Sequence, residues 1–145
     1  MLGGKSSSSP VQESIDVDSG RSLRGPDTPV GRVATVLAIT IALVHIYFNT
    51  FGTWSEIRVN VVHFGGFGAL CALVYPAFQA RTAVGRRAAL AIDIVLALLA
   101  LSCIAYLFLG EESFYARNAT FLWYDWFFTI LAPLLVLEFV RRTTG

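Results

Sequence analysis

The sequence predicts an all-α, polytopic membrane protein: four transmembrane helices in an up-down bundle, with both termini cytoplasmic. Three observations predict it. Apolar stretches recur at 33–51, 59–78, 88–109 and 122–140, each near the ~20 residues a helix needs to cross a hydrocarbon core of ~30 Å. Of 145 residues, 55% are hydrophobic and 14% charged, whereas a soluble domain carries about 25% charged residues. The arginines then fall on alternate sides of those stretches, eight on one side (Arg21, Arg24, Arg32, Arg81, Arg86, Arg87, Arg141, Arg142) against two on the other (Arg58, Arg117), and basic residues collect on the cytoplasmic side.

The chain begins with a polar segment. Residues 1–29 are rich in Ser, Gly, Pro and Asp, too little apolar surface to offset the entropy of ordering, so a disordered cytoplasmic tail is expected there. No apolar stretch follows Met1 closely enough to read as a signal peptide. Residues 30–145 then form the four-helix transmembrane domain. Its backbone must satisfy its own hydrogen bonds in lipid, which makes each stretch a helix. Short connections favour antiparallel neighbours.

Helix one carries His45 and Asn49 four residues apart, hence on one face near the outer end. Helix two contains His63, Gly65, Gly66 and Gly68. Gly65 with Ala69, and Gly68 with Ala72, have the small-xxx-small spacing that lets two helix backbones approach in lipid. Pro76 sits near its inner end, as a kink or a stop. Helix three has one charge, Asp93, roughly 9 Å deeper than Arg87 at 1.5 Å per residue; Glu111 and Glu112 fall beyond it on the outside. Helix four contains Pro133, which removes a backbone donor and favours a kink. Trp54, Phe114, Tyr115, Trp123, Tyr124 and Trp126 gather on the outer side as an interfacial aromatic belt.

Ionisable groups inside membrane helices are the candidate sites. Glu138 precedes Arg141 and Arg142 by three and four residues, the favourable acid-first order for a local ion pair beside a topological stop. Asp125, in an early turn of helix four, either meets the positive end of the helix dipole or contacts a partner at the outer face. Asp93 should face inward and pair with Arg141 or Arg142, a structural role being favoured over proton relay. His45 and His63 have two readings. On facing helices they could ligate haem, with the glycines of helix two leaving room for the macrocycle, as in a small haem-binding membrane anchor of a redox complex. Alternatively, His45 hydrogen-bonds Asn49. Cys71 and Cys103 lie in apolar runs and read as packing residues. No nucleophile–base pair, phosphate-binding loop or metal spacing is present, so neither an enzyme nor a resident cofactor or metal is expected. The net charge of +1 gives no basic patch for nucleic acid.

From helix two onward the chain resembles a known family. Arg58, Val62-His63-Phe64-Gly65, Tyr75-Pro76, Asp93, Tyr106, Arg117, Asp125 and the run Leu137-Glu138-x-x-Arg141-Arg142-x-x-Gly145 are similar to the small (Q-type) four-helix membrane domain of tripartite ATP-independent periplasmic (TRAP) transporters, in the TAXI-type branch. The last run, with Asp125 upstream, is the most specific part; residues 1–29 lie outside the resemblance and helix one matches only loosely. In fused members the chain continues past the Arg-Arg-x-x-Gly element into a large multi-helix transport domain. The resemblance implies a multi-pass protein of a bacterial or archaeal cytoplasmic membrane. It implies as partners a large multi-helix permease subunit, a periplasmic solute-binding protein and the lipid bilayer. The role it implies is that of a scaffold in sodium-coupled uptake of organic acids. The candidate structural or partner-interface residues of the chain are His63, Gly65, Gly68, Asp93, Asp125, Glu138, Arg141 and Arg142.

Overall fold

The computed structural model of the protein describes residues 23–118 and 120–144. Most of the expected tail, residues 1–22, lies outside them. Four helices follow one another: α1 (Pro29–Phe51), α2 (Glu56–Val74), α3 (Ala83–Ala116) and α4 (Trp123–Thr144). All four are long and apolar enough to cross a membrane, which is the build of a multi-pass membrane protein.

Local chemistry sets the helix ends. Thr28, Ser55 and Thr82 each accept a hydrogen bond from a backbone N–H three residues on, capping α1, α2 and α3. Pro29 opens α1, where its missing N–H costs nothing. α2 stops at Val74, four residues short of the end expected at Phe78. Tyr75 precedes Pro76, and the proline ring drives the residue before it out of helical geometry; Tyr75 is extended, with ψ 107°. Pro76 is therefore a stop, not a kink. α3 instead runs to Ala116, seven residues beyond the apolar run that ends at Leu109, and carries Glu111 and Glu112 inside the helix. Asn118 follows with φ 45°, the left-handed conformation that often closes a helix. α4 continues as one helix through Pro133.

α2 is the hub. Among the described residues α1 packs against α2 alone, while α4 touches α2 and α3. The interior is built from small side chains: Ala69 and Ala72 of α2, Ala97, Ala100 and Cys103 of α3, closed over by Leu135 of α4. Lipid tails are as apolar as leucine, so helices in a bilayer gain from close van der Waals approach, which small residues permit.

The helices unite two chemically different ends. At the arginine end the start of α1, the end of α2 and the end of α4 meet: Arg24 N–H donates to Val74 O (3.2 Å), and Arg142 donates to Tyr75 O (2.8 Å). At the tryptophan end Trp54, between α1 and α2, stacks on Phe48 and meets Phe108 of α3 edge-on at 4.7 Å. α3 is the longest element at 34 residues, about 50 Å at 1.5 Å per residue, so it overruns a ~30 Å hydrocarbon core.

Candidate functional site

The charges gather into ionic clamps at the two ends. At the arginine end, Asp93 of α3 is fully buried, as is Arg142 of α4. Arg142 Nη1 donates to Asp93 Oδ1 at 2.7 Å, and to the carbonyls of Tyr75 and Ala72 that α2 leaves open where it ends. Arg142 Nε reaches back to Glu138 at 2.8 Å. The same Asp93 oxygen accepts Ala77 N–H at 3.0 Å. Its other oxygen is held by Arg24, which also donates to Leu73 O at 2.8 Å. One carboxylate thus ties the segment before α1, the α2–α3 connection, α3 and α4 together.

Of the two partners expected for Asp93, the structure selects Arg142. Arg141 points away, forming a two-pronged pair with Glu138 (both contacts 2.7 Å) and donating to Ala77 O at 3.2 Å. The local pair expected of Glu138 is present with both arginines. The second partner of Asp93, Arg24, was not anticipated, because it falls in the stretch read as tail. The signal available in the sequence was its place four residues before the capping Thr28.

At the tryptophan end Asp125 is buried at 2% exposure. Arg117 grips it with both terminal nitrogens (2.7 and 3.2 Å), and the Tyr106 hydroxyl donates to it. Asp125 also accepts the N–H of Leu122 at 2.6 Å. That contact is half of a capping box, in which the third helical residue reaches back to the residue before the helix. Asp125 is therefore more than an acid at the helix dipole: it locks α3 to α4. Arg117 in turn lies over the rings of Phe114 and Tyr124. A second pair, Arg58 of α2 with Glu111 of α3, was also missed. Glu111 follows Gly110, beyond the apolar run that ends at Leu109; it is nonetheless helical and buried.

The glycines lie at close contacts. A Cβ on Gly65 would sit 2.6 Å from Ala100 O and would overlap the Ile104 side chain; on Gly68 it would sit 2.6 Å from the Phe139 ring. α3 and α4 thus occupy the space that a macrocycle beside helix two would require. The histidines agree. His45 Nδ1 lies 2.9 Å from Ile41 O, so that nitrogen carries a proton, and His45 Nε2 accepts from His63 Nδ1 at 3.0 Å. With ring centroids 5.0 Å apart, the two imidazoles bond each other directly, and the arrangement does not fit a haem between them. Asn49 bonds the His45 backbone carbonyl, not its ring. Among the described residues no group of three or more His, Cys, Asp or Glu could hold a metal ion.

Two openings flank this framework. One, of about 750 Å³, lies at the arginine end between α1, the α2–α3 connection and α3. The other, about 240 Å³ and mostly apolar, lies between α3 and α4 below Asp125. The arrangement is that of a braced membrane body: ionic clamps at both ends and an apolar, alanine-rich middle. No protein-family model, no curated protein and no solved structure matches the chain.

Proposed function

We propose that the chain is the small scaffold subunit of a sodium-coupled tripartite ATP-independent periplasmic transporter for organic acids. It is an up-down four-helix body in a bacterial or archaeal cytoplasmic membrane, with both termini cytoplasmic. It braces a large multi-helix transport subunit and helps dock the periplasmic solute-binding protein. It performs no chemistry of its own.

One observation carries this reading. Eight of the residues on which the resemblance rests, Arg58, Asp93, Tyr106, Arg117, Asp125, Glu138, Arg141 and Arg142, sit in the ionic contacts, most of which join one helix to another. A motif set devoted to bracing suits a rigid support. The interior supports the same view. Solute carriers bind their cargo near mid-membrane, on interrupted helices whose freed ends coordinate ions and substrate. Here the buried middle is Ala69, Ala97, Ala100, Cys103 and Leu135, with no charged group among them. α4 buries only Asp125, Leu135 and Arg142 fully, leaving wide apolar faces for lipid and for a large partner.

Reconstitution tests it. Liposomes holding this chain alone should show no sodium-driven uptake of a dicarboxylate panel, and adding the large subunit with loaded binding protein should produce uptake. Uptake by the chain alone overturns the scaffold role.

A further inference from the structure

The geometry points to a binding site for the phosphate of an anionic phospholipid in the cleft at the arginine end. The cleft exists because the helices end at different depths. Asp93 is level with the ends of α2 and α4, to which it is bonded through the α2–α3 connection and Arg142. It lies ten residues into α3, about 15 Å from that helix's start at 1.5 Å per residue. The first turns of α3 therefore project past their neighbours. Together with the segment before α1 and the α2–α3 connection they enclose the opening of about 750 Å³.

Its walls have two characters. Among the described residues Arg24, Arg81 and Arg86 line it, and no acidic residue does. Arg24 is paired with Asp93, which it shares with Arg142. Among the described residues Arg81 and Arg86 have no carboxylate partner, and Arg86 Nη1 donates to Arg81 O at 3.3 Å. Val30, Phe78 and Leu90 supply the apolar wall. Among the described residues α1 and α3 both pack on α2 and share no close backbone contact. An opening with arginines on one wall and apolar side chains on another matches a phosphate carrying acyl chains. Basic pockets between membrane helices are where anionic head groups bind. The site uses no partner subunit, so its failure would leave the transport reading untouched.

Native mass spectrometry of the full chain, released from detergent and titrated with phosphatidylglycerol or phosphatidylcholine of matched acyl chains, reads the site. Wild type should retain phosphatidylglycerol preferentially. Arg81→Gln with Arg86→Gln should weaken that retention about twenty-fold, each basic residue near an anionic surface being worth roughly a factor of five. Arg32→Gln with Arg87→Gln removes the same charge from the same end but outside the opening, and should leave retention unchanged. Arg81→Lys with Arg86→Lys, which keeps the charge, should retain the preference and guards against loss through misfolding. Equal retention of the two lipids, or equal loss in both glutamine pairs, overturns the site. Glycerol phosphate binding as tightly as the lipid overturns it too, by making the ligand a soluble phosphate ester.

Discussion

Asp93 is the residue on which most of the molecule converges. It binds Arg24 and Arg142 and accepts a backbone N–H from Ala77. Taking both charges of such a pair out of water is costly, and the pair persists because added hydrogen bonds occupy its remaining positions. Removing one partner is a different matter: it strands a buried charge, at about 3–5 kcal/mol. Asp93→Asn should therefore lower stability in detergent by about 3 kcal/mol or more. Glu138→Gln, whose side chain is 25% exposed, should cost about 1 kcal/mol, the range of solvent-accessible pairs. Thermal or denaturant unfolding measures both. In double-mutant cycles Asp93 should couple to Arg142 and Arg24 but not to Arg141; coupling to Arg141 alone would contradict the geometry. At the other end, Tyr106→Phe deletes one hydrogen bond to Asp125 and should cost about 1–2 kcal/mol by the same assay, since bonds to charged groups are worth about 1.5–3 kcal/mol.

Among the elements, α2 carries the tightest constraint. Three of its glycines are buried, yet their neighbours differ. An added methyl at Gly65 meets the Ala100 backbone carbonyl at 2.6 Å, which cannot move without shifting α3; at Gly66 it meets only the Ile41 side chain, at 3.0 Å. Gly65→Ala should therefore destabilise by about 1–3 kcal/mol, the usual cost of overpacking, and Gly66→Ala by clearly less. Equal effects in a melting experiment would mean that α2 and α3 are not held at this separation. Gly68 faces the Phe139 ring, so a bulky Gly68→Leu change should loosen α4 in particular.

For the whole molecule, orientation is the test of greatest reach. The arginine end gathers residues from before α1, between α2 and α3, and in the last turn of α4. Those segments meet at one end of the bundle, and the positive-inside rule predicts that this end faces the cytoplasm. A reporter fused after Gly145 should be active only as a cytoplasmic marker, and one inserted after Asn118 only as an external one. An external signal from the C-terminal fusion would invert the bundle, moving Asp93 and the arginine cleft to the outer leaflet.

The sequence by itself determined the membrane class, the number of helices and the identity of the crowded small-residue face. These are properties of composition and short spacing: apolar length sets spanning capacity, and Gly65 and Gly68 mark a helix contact whatever packs there. Local ion pairing was equally legible, since Glu138 and its arginines share one helix. The sequence narrowed the partner of Asp93 on helix four to Arg141 or Arg142; tertiary structure chose between them and decided the other distant pairs. Arg24 and Asp93 are 69 residues apart, and Asp93 and Arg142 are 49 apart. Arg58 joins Glu111 across two helices. A helix that is apolar all round shows no periodic stripe from which its rotation can be read; the cost of a charge in lipid turns Asp93 inward, but only packing aims it at Arg142 and Arg24. Packing also filled the space beside the helix-two glycines with Ile104 and Phe139. It joined the histidines to each other, because their rings could meet only once α1 had settled on α2.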